Sequence, residues 1–122
     1  MSTAFGDILA EVVEALPGSR GAVFVDWEGE AVDEVSAVAD DVHDLRLLAA
    51  HWAITYYQAH AVLAKHGLGA PDEVVLRFER QQILLHRVTD DYLVVLSLEI
   101  DAHLGRAQNL LRQVGPRLRG AM

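Results

Sequence analysis

Hydrophobic residues recur along the chain with two different periods, and these periods predict three helices and five strands. Apolar positions spaced by three and four residues predict helices over 3–16, over 40–66 and from 102 onward. Short apolar or alternating runs predict strands over 22–27, 30–36, 73–78, 82–88 and 92–98. The connections between the last three strands are short, which favours antiparallel pairing. The predicted order is α-β-β-α-β-β-β-α.

The strand over 92–98 is apolar on both of its alternating sides, which is typical of a strand with helices on each face. We therefore expect an α/β fold, an α/β/α sandwich around a five-stranded antiparallel sheet, in one domain spanning 1–122. The first and last helices are expected on one face of the sheet, and the long middle helix on the other. The strand over 30–36 is polar, which suits a sheet edge protected by charge.

The long helix over 40–66 has two apolar sides. At about 100° of turn per residue, one stripe contains Leu45, Leu48, Ala49, Trp52, Tyr56, Ala59 and Leu63. The opposite stripe contains Leu47, Ala50, Ile54, Tyr57 and Ala61. Because a single helix covers that face of the sheet, the chain has no further layer to cover Leu47, Ile54 and Tyr57, so we expect a partner protein there. The alternative is a core stripe under an unrecognised loop.

The ends of the helices are predicted from capping residues and helix breakers. The expected caps, in chain order, are Ser2 or Thr3, Asp40 or Asp41, and Asp101. The breakers, in the same order, are Pro17-Gly18, Gly67 and Gly115-Pro116. We expect Gly115-Pro116 to kink or end the last helix.

Composition narrows the classes of function. The chain has no Cys, which excludes disulfides, thiolate metal sites and cysteine nucleophiles. Its start lacks a signal-peptide pattern and it has no run of ~18 apolar residues, so we expect a cytoplasmic protein. The net charge is −8, and residues 1–44 contain eleven acidic residues against Arg20 alone. This acidity disfavours nucleic acids and anionic membranes. The acidic half is either solvated surface or a surface that steers a basic partner.

The sequence contains no catalytic constellation, so we expect no enzyme activity, no cofactor and no metal. His43, His51, His60 and His66 do not converge on one side of a helix at ligand spacing. The Gly67-Leu68-Gly69-Ala70 segment follows a helix and lacks the lysine of a phosphate-binding loop. Asp33 and Glu34 are adjacent in a strand, and their side chains therefore point to opposite faces.

Two segments resemble the roadblock family of dynein light-chain-like proteins. The opening FGDILAEVVEALPGSRGAVFVDWEG is similar to the family's first helix, first strand and glycine-centred hairpin. The matching residues are Pro17, Gly18, Gly21, Ala22, Val23, Val25, Asp26 and Gly29. DDYLVVLSLEIDAHLGRAQNLLRQ resembles the family's last strand, the following loop and the final helix. The resemblance covers nearly the whole chain, although its motifs are structural and not catalytic.

The resemblance implies a dimer that binds a small Ras-like GTPase. Family members often pair their third strands, here Glu73–Phe78, which brings the two long helices side by side. Bacterial members of the MglB type bind such a GTPase through the long-helix face and stimulate hydrolysis without inserting an arginine finger. The implied partner or dimer interface comprises Leu47, Ala50, His51, Ile54, Tyr57, Gln58 and Ala61, flanked by Arg46 and Lys65. The implied pairing strand contains Val74, Val75, Leu76, Arg77 and Phe78.

Three functions follow as hypotheses. The first is a dimeric regulator that modulates GTP hydrolysis by a small Ras-like GTPase. The second is a scaffold or adaptor that has no effect on nucleotide turnover. The third is a small-ligand sensor, which requires a closed pocket between sheet and helix. The large side chains of Phe24, Trp52, Tyr56 and Phe78 favour a filled core over such a pocket.

Overall fold

The computed structural model describes residues 3–38 and 42–122, and its elements follow the predicted order. The helices are α1 (Ala4–Ala15), α2 (Val42–Ala64) and α3 (Leu104–Gly120). The strands are β1 (Ser19–Asp26), β2 (Ala31–Ser36), β3 (Glu73–Arg77), β4 (Gln81–Thr89) and β5 (Tyr92–Glu99). The strands form one antiparallel sheet in the order β2-β1-β5-β4-β3. The two edges of the sheet are therefore β2 and β3.

The sheet separates two apolar cores, as the two-sided strand 92–98 predicts. On one face, α1 and α3 cover a cluster that contains Leu9, Phe24 and Leu111. On the other face, α2 alone covers a second cluster that contains Ala53 and Leu93. Both faces of the central strands are buried, and the expected α/β/α sandwich is confirmed.

The start of α1 agrees with the sequence, whereas the start of α3 does not. The Thr3 hydroxyl accepts a hydrogen bond from the Gly6 amide at 2.9 Å, so Thr3 is the N-cap, one of the two residues predicted for this role. The expectation that Asp101 caps the last helix is wrong. Nδ1 of His103 accepts from the Arg106 amide at 3.0 Å, and the helix begins at Leu104.

Two predicted boundaries also differ from the structure. The last helix neither ends nor breaks at Gly115-Pro116, and it continues to Gly120. Leu118, which lies beyond the proline, is fully buried in the first core, so its burial stabilises the final turn. Trp27 belongs to the β1–β2 turn and not to a strand, and it is 55% exposed.

The ends of α2 are partly described. The predicted caps Asp40 and Asp41 lie outside the described residues, as does Ser2. At the other end, the helix stops at Ala64, and Gly67 follows with a φ of 70°, a backbone conformation that favours glycine.

Candidate interaction surface

The side of α2 that points away from the sheet is partly apolar. We call Leu47, His51, Ile54, Gln58 and Ala61 the outer face of α2; all five are exposed. Leu47 is 47% exposed and Ile54 is 41% exposed. The two residues lie about two helical turns apart. No segment of the described chain buries these two side chains. The predicted second apolar stripe is therefore present, but in a reduced form.

Two members of that predicted stripe are covered by the chain itself. Ala50 lies against the β1–β2 turn, where a Cβ on Gly29 would come within 3.2 Å of the Ala50 carbonyl oxygen. Tyr57 is half-buried against the second core. Its ring packs edge-on against Tyr56, with centroids 5.0 Å apart. The expectation that nothing within the chain covers Tyr57 is thus wrong. Residues of the second core and the neighbouring Tyr56 contact a wider part of the α2 surface than the single core stripe.

The Tyr57 hydroxyl is buried and has no hydrogen-bond partner among the described residues. Burial raises the pKa of this phenol, and electrostatic interactions with Tyr56 and with the carboxylates of Asp91 and Asp26 raise it further. Tyr56 differs, because its hydroxyl donates to the Pro71 carbonyl at 2.6 Å. The two adjacent tyrosines therefore anchor α2 in different ways.

Ionic contacts flank the outer face at its N-terminal end. Nε of Arg46 donates to the Glu34 carboxylate on β2 at 2.7 Å. The neighbouring Asp33 points to the opposite face of the sheet, where its carboxylate accepts from the Thr3 hydroxyl. Asp33 and Glu34 therefore do not form a carboxylate pair, as their adjacency in a strand predicts.

The edge strand β3 presents apolar side chains to both faces of the sheet. Val74 and Leu76 pack against the core under α2, and Val75 packs against the core under α1 and α3. Arg77 is exposed and forms no ion pair within the described part of the chain. Phe78 follows the strand, is 43% exposed and lies beside Trp52, with ring centroids 5.8 Å apart.

An apolar groove of about 170 Å³ runs between α2 and β3. It is lined by Trp52, Thr55, Tyr56, Ala59, Leu63, Pro71, Val74, Leu76 and Leu85. Most of the α2 residues in this groove belong to the stripe that the sequence assigns to the core. The groove exists because α2 lies over β1 and β2 and leaves part of β3 uncovered. A pattern of apolar positions could not reveal this lateral offset.

The two edges of the sheet differ in their protection. The β1–β2 register shifts between Phe24 and Val25, and the inward-pointing Glu34 adds a charge; bulges and inward charges both discourage pairing with another strand. In contrast, β3 pairs with β4 in an unbroken register from Glu73 to Arg77. Of the two described edges, β3 is therefore the one suited to accept a further strand.

A separate charged cleft of about 550 Å³ lies between the start of β3, the end of β4 and α3. Glu73 accepts from Gln108 in this region and lies 3.5 Å from Arg112. His86 is half-buried there, and burial lowers its pKa. Among the described residues, no group of three or more His, Asp or Glu side chains could hold a metal ion. No described helix is long and apolar enough to cross a membrane.

Comparison with solved structures assigns the fold. The chain has the fold of roadblock/LC7 domains. It is similar to MglC from Myxococcus xanthus, with 23% identity, a TM-score of 0.73 and coverage of 98% of this chain and 100% of that chain. It is also similar to a roadblock/LC7 domain from Streptomyces avermitilis, with 14% identity, a TM-score of 0.75 and coverage of 98% and 99%.

A third similar structure is an MglB with a tetrameric arrangement. It shares 23% identity and a TM-score of 0.83, and the match covers 97% of this chain and 87% of that chain. No family model matches the sequence, and a search of curated proteins finds no match.

Proposed function

We propose that the chain is a non-enzymatic, dimeric regulator that binds a small Ras-like GTPase through the outer face of α2 and modulates its GTP hydrolysis. The exposure of Leu47 and Ile54 carries this proposal. Both are large apolar side chains seven residues apart on a regular helix, and a helix that docks on a partner does so through apolar residues at this spacing. His51 and Gln58 lie beside these two residues on the outer face and offer side chains that can hydrogen-bond to a partner.

Self-association is supported by β3 and the groove beside it. The strand has an unprotected edge, and the adjacent groove exposes apolar side chains to solvent. A second copy paired along β3 would bring another α2 toward this groove and cover it. Leu47 and Ile54 lie on a different side of α2 from Trp52 and Ala59, so they would stay free for a third protein.

The similar structures add a second line of support. One of them is an MglB in a tetrameric arrangement, which is a self-associated state of that protein. The resemblance of this sequence to the roadblock family implies a Ras-like GTPase as partner of the long-helix face. The fold alone does not specify a partner, so the proposal depends on the exposed side chains of this chain.

The experiment measures solution mass, binding and GTP hydrolysis together. A purified Ras-like GTPase from the same genome, loaded with GTP, is incubated with the wild-type protein and with the Leu47→Asp/Ile54→Asp variant. We expect a dimer for both proteins by light scattering. Binding and the change in hydrolysis rate are expected with the wild type only, because two buried charges at an apolar interface oppose association.

Leu68→Asp provides the matched control, because Leu68 is 71% exposed and lies outside the outer face, in the loop after α2. It is expected to bind like the wild type. Binding with an unchanged hydrolysis rate would instead identify an adaptor. A double variant that still binds the GTPase would contradict the assignment of the outer face, and a monomeric wild type would contradict the dimer.

A further inference from the structure

The charged cleft between the sheet and α3 is lined by one stripe of α3. Arg112, Gly115 and Arg119 are spaced by three and four residues, so they are neighbours on one side of the helix. Nη2 of Arg112 lies 3.5 Å from the Glu73 carboxylate on β3. Nη1 of Arg119 donates to the Val88 carbonyl on β4 at 3.0 Å. Both arginine side chains therefore extend from α3 toward the sheet and line the cleft.

His86 on β4 lies beneath the middle of this stripe. A Cβ on Gly115 would be 3.0 Å from its Nε2, so the helix approaches the imidazole closely. Nδ1 of the same ring is buried and has no hydrogen-bond partner among the described residues. Buried polar atoms are nearly always paired, and a buried titratable group beside a cleft is a candidate functional residue. We therefore include His86 in the candidate site.

Positive charge exceeds negative charge in the lining of the cleft. The charged residues of the lining are Asp72, Glu73, Arg87, Arg112 and Arg119. Three positive charges against two negative charges leave a net charge of +1 while His86 is neutral. This is a local exception in a chain whose net charge is −8. An anion is the ligand whose charge complements such a cleft.

Arg119 is the cation of the cleft that the chain leaves without a carboxylate. Arg87 donates to Asp72 at 2.7 Å and to Asp90 at 3.2 Å, so its charge is already compensated. Arg119 forms no ion pair within the described part of the chain. Its bond to the Val88 carbonyl uses one of the five N–H donors of a guanidinium group. Donors and charge of Arg119 are therefore available to a ligand.

Arg112 is held only loosely by its own chain. Its distance of 3.5 Å from the Glu73 carboxylate is near the outer limit of a hydrogen bond, and its side chain is 63% exposed. Glu73 has a second donor, because it also accepts from the Gln108 side chain. Arg112 can therefore turn to a ligand while Gln108 keeps Glu73 bonded.

Two arginines that line one cleft fit a phosphate group, because the fork of guanidinium donors matches pairs of phosphate oxygens. Arg112 and Arg119 are separated by about 10 Å along the helix axis, so extended side chains can reach one ligand from both sides. The cleft volume of about 550 Å³ lies within the range of small-molecule sites.

We propose that this cleft binds a phosphate dianion, free or carried by a small organic molecule, through Arg119 and Arg112 above His86. The lining has a net charge of +2 when His86 is protonated, which balances the dianion. The cleft lies on the face of the sheet that α1 and α3 cover, opposite α2. The site is therefore separate from the outer face of α2 and does not depend on the proposed GTPase partner.

The His86 ring reports on binding at this place. Burial lowers its pKa in the free protein, Glu73 and Asp72 oppose this effect, and Arg112 and Arg119 add to it. A bound dianion offsets the charge of the two arginines and favours the protonated imidazole. We expect a higher His86 pKa in sulfate, which stays a dianion during the titration, than in chloride at equal ionic strength. Nuclear magnetic resonance of the full chain measures this difference.

A binding titration tests the arginines. Inorganic phosphate and glycerol phosphate are added separately to the full chain near neutral pH at constant ionic strength. We expect saturable binding, weakened by about tenfold or more in Arg119→Gln and in Arg112→Gln, because each variant loses a hydrogen bond to a charged group. Arg106→Gln is the matched control. It removes the same charge from an exposed position of α3 outside this cleft and is expected to bind like the wild type.

The two ligands distinguish the sources of the phosphate group. Tighter binding of glycerol phosphate would assign an organic phosphate, and equal binding would assign free phosphate; both results support the site. The absence of saturable binding to either ligand would overturn it, as would equal losses in Arg106→Gln and in the two cleft variants. A His86 pKa that is the same in sulfate and chloride would also overturn it. Because Arg112 is exposed, Arg112→Gln keeps the test valid if Arg119→Gln fails to fold.

Discussion

Gly29 of the β1–β2 turn lies directly against Ala50 of α2. The turn has a φ of 87° at Gly29, and a Cβ there would come within 3.2 Å of the Ala50 carbonyl oxygen. Glycine is thus favoured at this position for two reasons, the backbone conformation and the close approach of Ala50. The contact joins the hairpin to the middle of α2 and leaves Leu47 and Ile54 as the large exposed apolar residues of the outer face.

Gly29→Ala is expected to lower the free energy of unfolding more than Gly67→Ala does. Both glycines have positive φ, but nothing lies within 4 Å of a Cβ at Gly67. Gly67→Ala should cost about 1 kcal/mol from backbone strain alone. Gly29→Ala should cost about 1 kcal/mol more, because the methyl group also meets the Ala50 carbonyl. Urea denaturation of both variants measures the difference, and equal losses would contradict a tight contact between turn and helix.

Removing the hydroxyl group is expected to change the free energy of unfolding differently at the two adjacent tyrosines of α2. Tyr56→Phe should lower the free energy of unfolding by about 1 kcal/mol, because the Pro71 carbonyl loses its donor. Tyr57→Phe should leave it unchanged or raise it by about 1 kcal/mol, because the buried Tyr57 hydroxyl has no partner among the described residues. Thermal and urea unfolding of the two variants test this pair. A loss for Tyr57→Phe as large as that for Tyr56→Phe would show that its hydroxyl is bonded.

The half-buried His86 predicts a loss of stability on mild acidification. Its imidazole lies under α3, where a Cβ on Gly115 would be 3.0 Å from Nε2. Burial lowers its pKa, and Arg112 and Arg119 add to this effect, while Glu73 and Asp72 oppose it. The folded state therefore binds the proton less tightly than the unfolded chain. Stability is complete above the ordinary histidine pKa of about 6.5 and falls as the pH drops through and below it.

Unfolding midpoints in urea between about pH 8 and pH 5, on either side of that pKa, test the contribution of His86. The wild type is expected to lose stability over this interval more steeply than His86→Leu, which has no group to protonate there. His66→Leu is the matched control, because His66 is exposed after the end of α2, and it should follow the wild type. Identical slopes for the wild type and His86→Leu would exclude His86 as the cause.

Local patterns were sufficient for much of the fold. The period of the apolar residues predicted every element in order, and the two-sided strand 92–98 predicted that helices cover both faces of the sheet. These features depend on residues close in sequence, because the spacing of apolar residues within an element indicates whether one or both of its faces are buried. The Thr3 cap was predictable for the same reason, since its acceptor and the Gly6 donor are three residues apart.

The start of α3 shows where local reasoning stops. Asp101 and His103 are both able to accept from a helix N-terminus, and the sequence favours the aspartate. In the structure, the side-chain amide of Gln82 on β4 donates to the carbonyls of Glu99 and Ala102, and so binds the loop after β5 to the sheet. The helix begins at Leu104, after the segment that Gln82 holds by these hydrogen bonds. A contact across about twenty residues therefore decides between two plausible caps.

The outer face of α2 and the β3 edge also combine features that the sequence predicts with features that depend on tertiary packing. The hydrophobic pattern alone indicates that α2 carries more apolar surface than one sheet face needs, and that residues 73–78 form a strand. Three further features depend on the packing of distant segments: Gly29 covers Ala50, Tyr57 packs against the second core, and β3 is an edge beside an uncovered groove. The reason is physical: the angular position of a side chain follows from the helix repeat, whereas its exposure depends on elements that are distant in sequence.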